Sequence, residues 1–440
     1  MKRIIVIAAL IAAMSGAVYA QELKFDGYLN SGMGFVSDNN KDHDSYLKIF
    51  GVDSESNGYR FRLNGSYTNE TKNAGARFRL QGQRRIDQSG YLSMPYLYGW
   101  LGFVDNMVTI TGGLVDDGTW TSADWWWNDD TGEGLGVLVK AEPVKGLIFG
   151  VGAYIISQQG SGGNNWLQFT PITAETTEDG DTIYTSGANR LPNFGEIMLK
   201  TEDVKYTFNA AYTMPDTFRL SAIFRSKNKA GWTGTRYIEG DDYTYEGREE
   251  SMFLQAEFRV LAVNNLTAVV VGCFDKLENF DKSGNMVFSE TFGYKFDNLN
   301  VGLNAVQFLY NRVDANDDKV DYNPGLLFNP WVSYTIDKIV PRLDLVYFMG
   351  GRSKMSNGNN QWERRGFVNA AKAKDAEDDY SVLSARPSVK FNVDNKTFLE
   401  IGDMINYDMA VKDGAYKDSG DLKKKSLFTN VFYVDVKFSF

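Results

Sequence analysis

Five arginines fall in two neighbouring stretches: Arg60 and Arg62, then Arg77, Arg79 and Arg85. In an extended chain, side chains alternate between two faces. Arg60 and Arg62 then lie opposite Tyr59, Phe61, Leu63 and Tyr67, and the second set lies opposite Ala76, Phe78 and Leu80. Guanidinium groups stay charged and bind carboxylates and phosphates well. Five on the same face of two adjacent strands would form a basic wall that attracts anions. Arg219, Arg225, Arg259, Arg342, Arg386, Lys390 and Lys437 fall on comparable polar phases. The segment 116–133 has the opposite charge. It holds Asp116, Asp117, Asp124, Asp129, Asp130 and Glu133, with no Lys or Arg. It also holds Trp120 and the run Trp125, Trp126 and Trp127. These tryptophans could pack a folded loop, form an interfacial aromatic girdle, or stack on a solute ring.

Covalent and metal chemistry find little support. The lone histidine, His43, sits between Asp42 and Asp44 without a positioned partner, which a general base requires. One His and one Cys cannot build a usual zinc site. The acids of 175–181 read more simply as a solvated loop than as a calcium site. Cys273 falls within a strand pattern, where a small packing residue is expected. No cofactor or metal is expected, and the chain does not read as an enzyme.

The elements that carry these residues are strands. Aromatics make up 14% of the chain and Pro only 9 of 440 residues, a composition that favours sheets. Expected strands cover 22–36, 58–68, 74–85, 91–103, 106–115, 134–142, 146–157, 195–213, 217–226, 250–262, 266–275, 285–296, 300–312, 324–336, 340–350, 380–392, 396–409 and 426–440. Many show one apolar and one polar face; 146–157 is apolar on both phases, and Glu290 interrupts an otherwise apolar face. Connections alternate between short and mostly long. That alternation predicts an all-β transmembrane antiparallel up-and-down β-barrel of about 18 strands, with 16 as the alternative count, and long loops on one side.

Residues 1–20 read as a signal peptide: Lys2 and Arg3, the apolar run Ile4 to Ala13, then Val18-Tyr19-Ala20. The barrel is expected to occupy 21–440. After the signal, no run reaches the ~18 apolar residues of a membrane helix. The net charge of −10 argues against nucleic-acid binding.

The last strand, Phe432-Tyr433-Val434-Asp435-Val436-Lys437-Phe438-Ser439-Phe440, resembles the terminal strand of Gram-negative outer-membrane proteins. Together with the signal and the strand repeat, it makes the whole mature chain similar to the porin class. The resemblance implies that Phe432, Phe438 and Phe440 form a signal read by the barrel-assembly machinery. It implies a location among outer-membrane lipids, with a homotrimer as one assembly to consider. It further implies that the third long connection, 116–133, folds into the lumen and faces the basic wall. The expected function is passive diffusion of small hydrophilic solutes and ions. Two alternatives stay open: a plugged surface barrel acting as an adhesin or structural protein, and a channel specific for a sugar or organic acid.

Overall fold

The computed structural model describes residues 22–38, 45–50, 58–85, 91–94, 96–115, 134–156, 172–176, 182–186, 204–238, 244–310, 325–349, 381–394, 396–409 and 428–440. The expected signal peptide, His43, Trp120 and the whole segment 116–133 lie outside these residues.

Eighteen strands form the wall. They are β1 Glu22–Asp38, β2 Gly58–Thr68, β3 Ala74–Arg85, β4 Leu97–Phe103, β5 Val108–Val115 and β6 Gly134–Val144. Then come β7 Leu147–Ile156, β8 Lys205–Met214, β9 Phe218–Arg225, β10 Phe253–Val260, β11 Leu266–Asp275 and β12 Asn285–Phe296. The last are β13 Leu299–Tyr310, β14 Gly325–Tyr334, β15 Ile339–Met349, β16 Ser381–Asn392, β17 Phe398–Asp408 and β18 Phe428–Ser439. Each pairs antiparallel with the next, and β18 pairs with β1 from Tyr28↔Ser439 to Asp38↔Thr429. The sheet closes on itself, so the wall has no free edge.

Closure ends on the terminal residue. Gly27 N–H donates to the Phe440 carbonyl at 3.0 Å, and Phe440 N–H donates to the Gly27 carbonyl at 3.1 Å. The Phe440 ring lies over Gly27, where any Cβ would collide with it. It also stacks near Phe61, with centroids 6.5 Å apart. Phe440 therefore plugs the seam on the outward face.

The short turns between even and odd strands gather at one end. Asp216, Asn265, Asp297 and Asp337 there adopt positive φ. Asp and Asn tolerate that conformation better than most residues, which accounts for their use at these points.

The register rises around the barrel. One hydrogen-bonded row runs Lys24, Ser66, Arg77, Tyr98, Gly113, Gly136. It starts near the turn end of β1 and finishes near the loop end of β6, as tilted strands require.

Alternation sets the two faces. Phe208 and Phe432 point outward, 53% and 51% exposed, whereas Asn30, Thr207 and Asp435 point inward at 0%. The outward rows are almost wholly aliphatic and aromatic, as a hydrocarbon-facing band requires.

Three prolines sit within the wall pairing. At Asn329 and Pro330 the ladder between β14 and β15 skips two pairs. Asn329 Nδ2 donates to the Leu345 carbonyl at 2.8 Å instead, supplying a donor that proline lacks.

The structure differs from the sequence reading in three places, and one further expected strand falls partly outside the described residues. The expected strand 195–213 is described as a strand only over Lys205–Met214; residues 187–203 lie outside the described set. The expected strand 91–103 is broken into Tyr91–Ser93 and β4. Between the pairs Gln81↔Ser93 and Phe78↔Leu97 the register shifts by one residue. The expected loop 37–57 contains the strand Tyr46–Phe50, which pairs with β1 beyond the end of β2. The expected loops 158–194 and 227–249 hold a second antiparallel sheet: Ile172–Thr176, Thr182–Ser186, Asn228–Ile238 and Thr244–Glu250.

Candidate functional site

The basic wall forms on β2 and β3. Their register sets Arg62 opposite Gln81, Asn64 opposite Arg79 and Ser66 opposite Arg77. All six are on the inward face, because Asn30, an inward residue of β1, pairs with Arg60 in the same alternation. Arg60, Arg62, Arg77 and Arg79 are thus brought together as expected. Arg85 pairs with Gly58 at the loop end of β3, and its side chain lies outside the described residues.

These arginines meet amides and aromatic rings. Arg79 Nε donates to Asn64 Oδ1 at 2.8 Å, and its guanidinium lies over the Tyr96 ring at 4.7 Å. Arg62 Nε donates to Gln81 Oε1, with its guanidinium 5.7 Å from the Tyr28 ring. Arg77 lies 5.9 Å from Trp100, and Lys437 lies 4.7 Å from Tyr28. Tyr96 donates to Asn64 Oδ1 at 3.3 Å. Amides and rings hold a guanidinium in place without cancelling its charge. The arc from β18 through β1 to β4 thus sets several oriented cations beside a carboxylate, Asp26, to which Asn64 Nδ2 donates at 2.6 Å.

Sequence reasoning missed the aromatic half of this arc. Tyr96, just before β4, and Tyr98 and Trp100 within it form a stair, with centroids 5.9 and 6.3 Å apart. Their common parity was available in the sequence. It became informative only once Arg77 was known to pair with Tyr98.

A second charged arc spans β14 to β18. Arg386 donates to Glu400 Oε1 and to the Tyr433 hydroxyl, both at 2.6 Å. Tyr433 donates to Glu400 at 2.8 Å, and Lys390 lies 3.6 Å from the other Glu400 oxygen. Arg342 pairs with Asp344 at 2.6 Å and lies 4.5 Å above Trp331. Trp331 in turn covers Gly302, and Tyr433 covers Gly402. Glycine on the facing strand is what lets each ring lie flat. Asn30 Nδ2 donates to Asp435 at 3.2 Å, joining β1 to this arc. Arg219 and Arg259 face each other across β9 and β10, with Glu257 3.4 Å from Arg259. Arg225 donates to the Ser251 carbonyl.

The lumen is not polar all round. Cys273, Val306, Phe308, Leu327, Val346 and Phe348 face inward on β11 to β15 and are buried. Cys273 packs there beside Gln255 Oε1 at 3.6 Å.

The candidate constriction residues Asp116, Asp117, Asp124, Asp129, Asp130, Glu133, Trp125, Trp126 and Trp127 lie outside the described residues. Phe432 and Phe438 face outward on β18, and Phe440 closes the seam. Among the described residues, no group of three or more His, Cys, Asp or Glu could hold a metal ion.

No family model matches the chain, and no curated protein matches it. Solved structures do. Pseudomonas aeruginosa OccK9 (OpdG) aligns with TM-score 0.51 and 8% identity, covering 95% of this chain and 98% of that one. Acinetobacter baumannii OccAB4 aligns at 0.47 and 11%, covering 95% and 98%. A mutant porin of Rh. blastica aligns at 0.43 and 13%, covering 95% and 100%. The likeness to OccK9 is one of fold: this chain is a closed eighteen-strand antiparallel barrel of the same architecture.

Proposed function

We propose that the protein is an outer-membrane porin that passes small hydrophilic solutes through its lumen and favours anions. One observation carries this reading: a lumenal arc where Arg62, Arg77, Arg79 and Lys437 are held by amides and aromatic rings. The outward apolar band supports membrane insertion, and the closed ladder removes every edge that hydrocarbon would leave unsatisfied. In this reading the acidic connection 116–133 faces the basic arc across the lumen. The transverse field then sorts solutes by charge. The signal at 1–20 exports the chain, and Phe440 is read by the barrel-assembly machinery.

A second reading has its own support. The buried apolar arc on β11 to β15 narrows the water-lined part of the lumen, and the second sheet stands at the long-loop end. Those features suit a plugged surface barrel. Planar-bilayer recording separates the two: ion-conducting steps with anion preference support the porin, and their absence from correctly folded protein supports the plug.

A further inference from the structure

Two acids interrupt the outward rows of the wall strands among the described residues: Glu290 on β12 and Asp403 on β17. Asn430 Nδ2 donates to Asp403 Oδ2 at 2.8 Å, while Asp403 Oδ1 is buried without a hydrogen-bond partner. No described side chain donates to Glu290, and its Oε2 is buried without a hydrogen-bond partner. Phe288 and Phe292 flank it along β12, while Val270 and Ala305 lie opposite it on β11 and β13. Gln307, also outward, pairs with Phe288 one row nearer the loop end. A carboxyl among phenylalanines at this depth is costly unless something answers it.

We propose that this face, centred on Glu290 and Gln307, docks a second copy of the same chain; the proposal rests on the membrane reading above. Copies in one membrane share an orientation, so a two-fold axis between them runs along the membrane normal. Residues then meet partner residues at the same depth. Because hydrogen-bonded rows climb from each strand to the next, Gln307 stands above Glu290 instead of beside it. An axis along that line brings carboxyl to carboxyl and carboxamide to carboxamide. Both groups are self-complementary: a carboxamide donates and accepts, and two carboxyls share a proton. Ala268, Gly272 and Ala305 surround Glu290 on the neighbouring strands. Their small size lets two walls approach closely. Asp403 differs in that one of its oxygens, Oδ2, is met by Asn430 on the next strand.

Thiol cross-linking tests the contact. In a Cys273→Ser background, Ala305→Cys places a thiol beside Glu290 and keeps the acid. Ile405→Cys places one on the outward face of β17 as a control. A short bifunctional maleimide is applied to membranes, and only heat-modifiable, membrane-extracted protein is counted. A protein that is never membrane-inserted fails that criterion, which refutes the membrane reading separately. The expected result is a dimer with Ala305→Cys, little with Ile405→Cys, and about a tenfold loss when Glu290→Ala is added. No dimer at Ala305→Cys, equal yield at Ile405→Cys, a trimer ladder, or indifference to Glu290→Ala would each overturn the proposal.

Discussion

Replacing Arg62, Arg77 and Arg79 with Gln removes three charges from the basic arc and keeps hydrogen-bonding side chains there. The size of the effect follows from distance and screening. At ~8 Å, about one Debye length at physiological salt, a unit charge contributes ~0.2 kcal/mol in a water-like lumen and ~0.8 kcal/mol at effective ε ≈ 20. Three charges then contribute ~0.6 to ~2.4 kcal/mol, a change of about threefold to about fiftyfold in local anion occupancy, with cation occupancy moving the opposite way. The second arc gives a comparison. Arg386 lies 2.6 Å from Glu400, so the pair presents almost no net charge to a passing ion. The assay is the zero-current potential of the purified protein in a bilayer under a salt gradient. It should move toward the cation limit in the triple variant, and more so at low salt. Unchanged reversal potential with normal conductance would refute the claim that these arginines line the path. Neutralising Asp124, Asp129 and Asp130 should move the potential the opposite way.

Deleting Phe440 removes the ring over Gly27 and the hydrogen bonds that finish the seam. The yield of barrel that migrates faster before boiling than after should fall, with unassembled chain left in the periplasm. Normal yield would remove the assembly role. Glu400→Ala strands Arg386 and Lys390 in the wall, and breaking a buried pair from one side costs ~3–5 kcal/mol. Its unfolding midpoint in denaturant should drop clearly, while Glu22→Ala, an exposed pair with Lys24, should be nearly silent. In the turn after β16, the backbone N–H groups of Lys396 and Thr397 donate to Asp394 at 2.7 Å each. They hold its carboxyl below the usual carboxylate range. A lowered folded value means the turn gains stability above the ordinary carboxylate pKa of ~3.9 and loses it as pH falls through the lower folded value. Amide exchange at Thr397 should therefore quicken in acid, and Asp394→Asn should flatten that dependence.

Much of the wall was legible because alternation leaves a strong trace in strands with one apolar and one wet face. β2, β3 and β18 are of that kind, and register places Arg60, Arg62, Arg77, Arg79 and Asp435 on the inward face. The pairing that creates the site was harder to see. Arg386, Glu400 and Tyr433 lie on three successive strands across a long connection, and only register brings them within 2.8 Å. Strands apolar on both faces, such as β11, carry no phase signal, so the inward position of Val271 and Cys273 was invisible. Loop length also misled: Asn228–Ile238 and Thr244–Glu250 form a hairpin whose glycines and charges read as a loop. Glu290 was noticed as an interruption, but its meaning needed the knowledge that a side chain donates to Asp403 and that none among the described residues donates to Glu290.

The central claim is that the lumen conducts. Heat-modifiable protein purified without other barrels and added to a planar bilayer should produce discrete, uniform current steps that carry more anion than cation. The cation-to-anion balance should shift with Arg62→Gln, Arg77→Gln and Arg79→Gln together. A folded, inserted barrel that produces no steps would contradict the account and leave the plugged surface barrel as the better description.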